Sequence, residues 1–491
     1  MTSMTPPQVD VLIVGGGPVG VTGAILLAKQ GLKVLVAERE PGIYPLPRAA
    51  HIDHEAMRIF QAAGIADALL ATTREAKRYD FLNAAGDVLM RLETGAGDTL
   101  SGWPASNMIH QPSLEQLLND AIAASPTADF RRLWELVDFA VDDAGVTAHF
   151  ETPEGRQEIQ TKYLLGCDGA NSTVRSLADI QQDDLGFNES WLVIDTIVKQ
   201  ESALPDCNLQ MCDPARPTTC VMMGNGRHRW EFMLLPGETP EAMQKPETIQ
   251  TLMAPWEVEG AVEVERTAVY RFGATLAKNW RQGRVLLAGD AAHLMPPFAG
   301  QGLCSGLRDV DNLAWKLAMI VQHGADEALL DSYQSEREPH VRAVIDLAIM
   351  MGQMVCVSDP EAAAARDADL MAQRKQNGDA SGAMAFPPLL AGTILEGSPQ
   401  AGMLFPQVER LDDVLGRAAY LISKTDVSGA LPIDYLTLED ARLKPVRSVI
   451  ETWLDVHQVE AVLVRGDRYI FGTGEGAPLA AAFGRAVGVA S

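Results

Sequence analysis

The stretch from Val9 to Glu38, VDVLIVGGGPVGVTGAILLAKQGLKVLVAE, constrains the fold more than any other part of the chain. Val9 to Val14 is an apolar, β-branched run that reads as a buried parallel strand. Gly15, Gly17 and Gly20 follow, then a helix with Ala24, Ile25, Leu27 and Ala28 along one side, ending near Gly31. A second strand, Lys33 to Ala37, finishes at Glu38. In that order the glycines have separate tasks. Gly15 makes the tight turn, Gly17 lets a pyrophosphate approach the backbone, and Gly20 allows close helix–strand packing. Unpaired N–H groups at the helix start face the phosphates. Glu38 is the expected acceptor for an adenosine ribose. The segment predicts a bound dinucleotide.

With 491 residues, 47% of them apolar, the chain can bury several cores and is expected to hold two or three domains. Its 65 acids against 40 bases give a net charge of −25, which argues against nucleic acid as a partner. No run approaches the ~20 apolar residues of a membrane span. Cysteines 167, 207, 212, 220, 304 and 356 form no CxxC and no regular framework, so reduced thiols, no metal site and a cytoplasmic location are expected.

Further along, Pro41, Pro45 and Pro47 force an extended loop that delivers Arg48 near the ends of the first two strands. A helix is expected from about Asp53 to Gly64. Ser113 and Gln116 have capping-box spacing, with Gln111 just ahead, placed to face a ligand. YLLGCDGANSTVRSLADI, residues 163–180, is a second strand–turn–helix unit broken at Asp168–Gly169. Asp168 there is either a helix cap or a ligand contact. From 186 to about 275, alternating runs predict a mostly antiparallel sheet. The chain then returns with a strand ending at Gly289–Asp290, a Pro-rich loop, Gly300–Gln301–Gly302 and a helix. Residues 332–355 read as a helix pair whose Met350, Met351 and Met354 are core, and 357–390 as a mobile connection. The last hundred residues read as a small α/β unit with strands at Ala419–Ser423, Val446–Ile450 and Val462–Val464.

Together these motifs resemble the class A FAD-dependent aromatic hydroxylases, single-component flavoprotein monooxygenases, over nearly the whole chain. GDAAHLMPPFAGQGLCSGLRDVDNLAWKL, residues 289–317, carries most of the likeness. LPRAAHIDHEAMR, HQPSLEQLL, CDPARP and HRWEFMLLPGE look most like the 3-(3-hydroxyphenyl)propionate hydroxylase branch. The resemblance implies an α/β fold. A Rossmann-like FAD-binding domain (1–185 and 276–385) would interleave with an antiparallel substrate domain (186–275), followed by a thioredoxin-like domain (391–491) without CxxC.

It also implies FAD as cofactor, NADH or NADPH as co-substrate, and an aromatic substrate and molecular oxygen as partners, in a homodimer. Reduction of the flavin, oxygen addition at its C4a and oxygen transfer beside an existing ring hydroxyl would follow. Cofactor contacts would come from Gly15, Gly17, Gly20, Glu38, Arg48, Gln111, Asp168, Gly169, Asp290, Gly300 and Gly302. The reacting edge would be bordered by Pro297, Gly300, Gln301 and Gly302. His54, His293 and Tyr270 are candidates by type to face the phenol, with His293 expected on the flavin-side loop. The expected reaction converts 3-(3-hydroxyphenyl)propionate to its 2,3-dihydroxy product. A resorcinol, an alkylphenol or a polyketide is the alternative substrate, and a flavin oxidase, a dehydrogenase or a non-catalytic scaffold the alternative role. Arg216, Arg227, Arg229 and Arg271 are the bases available for a carboxylate or, equally, for pairing with surface acids, and Met222, Trp230, Phe232 and Leu234 are apolar alternates suited to a ring or to ordinary core packing.

Overall fold

The computed structural model describes residues 8–43, 49–94, 99–381 and 387–489. Strand Gln8–Val14 pairs in parallel with Gln157–Gly166 on one side and Val34–Glu38 on the other. Val285–Leu287 and Ala128–Arg132 extend this parallel sheet at its two edges. Val11, Leu12 and Ile13 are wholly buried, as a strand covered on both faces requires. Helix Pro18–Lys29 and the long helix Gly302–His323 pack together on it. Gly23 allows this approach, since a Cβ there would lie 3.1 Å from the Val310 side chain.

The second sheet has nine strands, all antiparallel neighbours except two parallel pairs. Its centre is the long strands Gln182–Val198 and Val262–Ala277 with Arg227–Met233 beside them. The hairpin Arg78–Leu82 and Val88–Glu93, expected within the nucleotide unit, joins this sheet through Asn208–Met211. One face of the sheet is covered by helices Pro240–Met243 and Pro246–Met253, over Leu192, Ile194, Trp230 and Phe232. The other face looks toward the nucleotide sheet.

Several local expectations change. Residues 331–355 form one helix that carries Pro339 inside it, not a pair. The stretch expected to be a connection contains helix Pro360–Asn377, started by the Asp359 carboxylate accepting from the Ala362 N–H with Pro360 in the first turn. Val446–Ile450 is not a strand. Val446, Ile450 and Leu454 recur every four residues and bury one side of helix Arg447–Val456. At Gln111–Ala123 the cap is His110, because Pro112 already sets the first turn, and Ser113 bonds the His110 ring instead.

The tail has a four-stranded mixed sheet, Asp434–Thr437, Tyr420–Ser423, Ala461–Val464 and Ile470–Gly474 in spatial order. It docks on the long helix through Trp315, which is buried with Leu463, Phe471 and Phe483. No single helix among the described residues is long and apolar enough to cross a membrane.

Candidate active site

A cavity of about 1100 Å³ runs between the two sheets, from Gly17 and Pro18 past Gly169 and Asp290 to the loop Pro296–Gly302. It ends against the inner face of the second sheet. The volume suits a dinucleotide with a small ring beside it, being at the upper end for ligand pockets.

At the first end, Gly15 has φ +109° and a Cβ would strike the Cys167 carbonyl at 2.4 Å. At Gly20 the Cβ would lie 2.1 Å from the Gly15 carbonyl, whereas at Gly17 it meets nothing within 4 Å. The turn, the close packing and the open approach therefore sit at the three expected positions. Gly17 caps helix Pro18–Lys29 without a side-chain bond, so its first-turn N–H groups remain for an anion. Glu38 lies beside this end. Its carboxylate accepts from the Gly16 N–H at 2.6 Å and the Glu40 N–H at 2.8 Å.

A second uncapped helix start, Gly302, enters the cavity from the opposite side after Gln301. Gly300 has φ +62°, and its carbonyl is bonded to His51 Nδ1 at 3.1 Å. Pro297 and Asp290 line the cavity. Gln111 also lines it, with its Oε1 accepting from the Ala49 N–H and its Nε2 donating to Glu115.

Three expectations fare differently. Arg48 lies outside the described residues. Asp168 is absent from the cavity lining: its carboxylate takes the Ser172 hydroxyl and the Thr173 and Val174 N–H groups, which start the helix Thr173–Leu177, while its neighbours Cys167, Gly169 and Ala170 line the cavity. His293 also misses it, because its Nε2 is bonded to Asp309 at 2.6 Å inside the core. His54 and Tyr270 both reach the cavity. Burial lowers the His54 imidazole despite nearby Asp53 and Glu55, and its Nδ1 meets Ser101 Oγ at 3.0 Å. The Tyr270 hydroxyl accepts from Arg266 at 3.2 Å.

Behind the loop, a buried network holds Gln301. Arg308 donates to Asp53 at 2.5 Å, to Glu55 at 2.6 Å and to Gln301 at 3.3 Å. Tyr469 of the tail donates to the other Glu55 oxygen at 2.7 Å.

The inner face of the second sheet is mixed, with Arg229 and Glu231 beside Val193, Val221 and Phe272, and of the two uses open to Trp230 and Phe232 it is core packing that they take. Trp230 and Phe232 point to the covering helices, and the alternate residues Arg229 and Glu231 line the cavity. Arg229 Nε donates to Asp195 at 2.6 Å, and Arg266 pairs with the other Asp195 oxygen at 2.5 Å. Glu231 lies 3.6 Å from Arg229. Met351 is buried in the main core as expected, with Met354 packed against it; Met350 is exposed, and all three line the cavity with Leu347 and Leu370. Only the segment 239–256, amphipathic through Met243, Ile249, Leu252 and Trp256, could have shown from sequence which face of the 227–233 strand is covered.

An FAD binding domain family model matches residues 8–348. The chain belongs to the class A FAD-dependent aromatic hydroxylases. It is 36% identical over 94% of its length to a probable NADH-specific resorcinol 4-hydroxylase of Rhodococcus jostii, covering 92% of that protein. It is 33% identical, again over 94%, to a 3-(3-hydroxy-phenyl)propionate/3-hydroxycinnamic acid hydroxylase of Burkholderia vietnamiensis, covering 93% of it. Among solved structures, the flavin-dependent monooxygenase PieE in complex with FAD and substrate superposes with a TM-score of 0.82. That match covers 99% of this chain and 100% of the other at 22% identity, a likeness of fold. The hydroxylase is thus a flavoprotein monooxygenase that uses FAD on an aromatic substrate.

Proposed function

We propose that this hydroxylase oxygenates a phenol that brings no carboxylate chain, of the resorcinol type, beside an existing hydroxyl, with a nicotinamide as reductant. The observation that carries this reading is the pairing of the arginines. Arg216 is held bidentately by Glu238, Arg227 by Glu265 and Arg229 by Asp195. Arg271 is exposed at the rim and bonded to the Asn188 side chain. Of these, Arg229 and Arg271 line the cavity: a propionate reaching Arg229 would have to break its buried pair with Asp195, which is costly, and one reaching Arg271 would be held at the exposed rim. The second reading, a 3-hydroxyphenylpropionate, is supported by relatives such as the Burkholderia protein, whose name carries that substrate. A panel of phenols with and without a propionate chain, scored by hydroxylated product, decides between them. Resorcinol-type phenols should exceed the propionate by at least about tenfold in kcat/KM, roughly the 1.4 kcal/mol of one modest contact. Efficient turnover only with the carboxylate present would reject the first reading.

The bound cofactor supplies oxygen activation. In this reading the chain places it. Gly17 and the first-turn N–H groups of Pro18–Lys29 hold the pyrophosphate, Glu38 the adenosine ribose, and Asp290, Gln111 and Gly169 the middle of the molecule. The Gly300–Gly302 helix start offers N–H groups to negative charge on the ring system. Pro297, Phe298 and the Met350–Met354 face close the ring pocket against water. Glu38→Ala is expected to weaken FAD roughly tenfold or more through loss of a charge-assisted hydrogen bond. Equilibrium titration of the apoprotein with FAD, showing unchanged affinity, would reassign Glu38.

A further inference from the structure

The inner face of the second sheet carries a charge arrangement with its own chemical meaning. Strand register aligns Glu231 with Thr219 on one neighbour and Val193 on the other, and aligns Arg229, Asp195 and Arg266 in the adjacent row. Two guanidinium groups face two carboxylates, so the cluster is neutral while Glu231 is ionised. Asp195 is committed to both arginines, at 2.6 and 2.5 Å. Glu231 has a looser partner, Arg229 at 3.6 Å, and lines the cavity.

Its position along the strand matters as well. Trp191 packs edge-on against Phe298 of the flavin-side loop, with ring centres 5.7 Å apart. The cross-strand partner of Trp191 is Met233, two residues from Glu231. Glu231 is therefore set back from the loop row by about 7 Å along the sheet, which leaves room for one aromatic ring between them.

We propose that Glu231 is the catalytic acceptor of the phenolic proton, and that the Arg229–Asp195–Arg266 group is the counter-charge for the phenolate it creates. This rests on the phenol-hydroxylase reading above. In the step, the phenol O–H bond breaks and a carboxyl O–H bond forms on Glu231. The electron pair stays on the phenolate oxygen, enriching the ring for oxygenation. The cluster then carries one surplus positive charge opposite one negative charge, and total charge is unchanged. The proton returns to the product oxygen when the ring regains its hydroxyl.

The surroundings agree with this role. Burial raises the Glu231 carboxyl against the pull of Arg229, which makes it a stronger base than a surface glutamate. The other groups facing it are Asp195 on the 182–198 strand, Arg266 on the 262–277 strand and Tyr79 on the 78–82 strand. Burial pushes the Tyr79 phenol up, so it stays neutral. Tyr79 and Thr219 both donate to the Gln210 oxygen, at 3.1 and 2.8 Å.

The test uses FAD-loaded enzyme without nicotinamide and 4-nitrophenol, whose phenolate absorbs in the visible. At a pH below the probe's own ionisation, the wild type should bind it with the phenolate band and with pH-independent affinity. In Glu231→Gln the proton must go to water, so affinity should improve about tenfold per pH unit until the free probe ionises. With the preferred phenol, hydroxylation by Glu231→Gln should fall about 100-fold at neutral pH and regain about tenfold per pH unit. Glu231→Asp should keep the wild-type pH slopes. A bound probe in the wild type that keeps its neutral spectrum would overturn the proposal even if the Gln variant failed to load FAD. So would a Gln variant with wild-type slopes and product formation within about twofold. If the wild type hydroxylates no phenol in the panel, the functional reading fails instead, and product formation by the wild type tells the two failures apart.

Discussion

Removing residues 391–489 is expected to abolish soluble, FAD-loaded protein rather than leave a working oxygenase core. The tail lines none of the active-site cavity among the described residues, yet it supplies charge partners to groups buried in the rest of the chain. Glu336, fully buried, accepts from Arg465 at 2.7 Å and from the Thr393 N–H at 2.7 Å, both in the tail, and from Lys316 at 2.9 Å. Burial alone would raise its carboxyl, but Arg465 and Lys316 hold it well below the usual range. Arg58 donates twice to Asp412 and once to the Phe405 carbonyl, again across this boundary. Breaking a buried pair by removing one partner costs about 3–5 kcal/mol. Two such losses are comparable to a typical total stability of about 5–15 kcal/mol, before the exposure of Trp315 and its apolar neighbours is added. Soluble yield, flavin absorbance and light scattering of the truncated chain provide the check. A monodisperse, FAD-loaded truncation with a melting midpoint close to wild type would show that the tail is dispensable.

This docking was hard to read from the sequence because its polar contacts join residues hundreds of positions apart, such as Arg58 with Asp412 and Glu55 with Tyr469. Periodicity carries no information about such pairs. The nucleotide-binding end was legible for the opposite reason. Gly15 and Gly20 are required by backbone geometry within six residues, and a glycine needed at φ +109° or with its Cβ position 2.1 Å from a carbonyl leaves a local mark. Asp168 shows the limit of that logic. Its position after a strand was compatible with a cap or a ligand contact, and three local hydrogen bonds took it as a helix starter. The second sheet posed a different problem. Alternation in Arg227–Met233 defined two faces but did not say which was covered, and the large apolar side chains went to helices Pro240–Met243 and Pro246–Met253 instead of to the ligand. The charged alternates were left to build the cavity wall. A methionine-rich helix face packs against apolar surface in most folds, so pattern alone makes Met350 a core residue. Here that face closes a cavity, and Met350 is 59% exposed.

Arg308→Met should produce the largest single-residue effect. It keeps most of the side-chain volume but removes the cation that bridges Asp53, Glu55 and Gln301. Burial would raise the Asp53 carboxyl, and the Arg308 charge outweighs it, holding the carboxyl well below its usual range. Without that charge, two buried carboxylates face each other beside the loop that borders the cavity, at a cost of roughly 3–5 kcal/mol. The cost has a definite pH dependence. In the wild type the depressed Asp53 contributes stability above the unfolded carboxylate value, near 4, and that contribution is lost as pH falls toward the folded value. In the variant the same carboxyl is raised by burial and takes up a proton already in mild acid, which relieves the repulsion. The gap between the two melting midpoints should therefore be widest at neutral and higher pH and narrow as pH falls toward 4. Adding Glu55→Gln to Arg308→Met removes one of the two stranded charges, so the double variant should be more stable than the single at neutral pH. Differential scanning calorimetry with flavin fluorescence, run from pH 8 to pH 5, measures both. A gap that stays constant across that range would mean that Arg308 acts through packing alone, and a double variant no better than the single would mean that the Glu55 charge is not the one left unpaired.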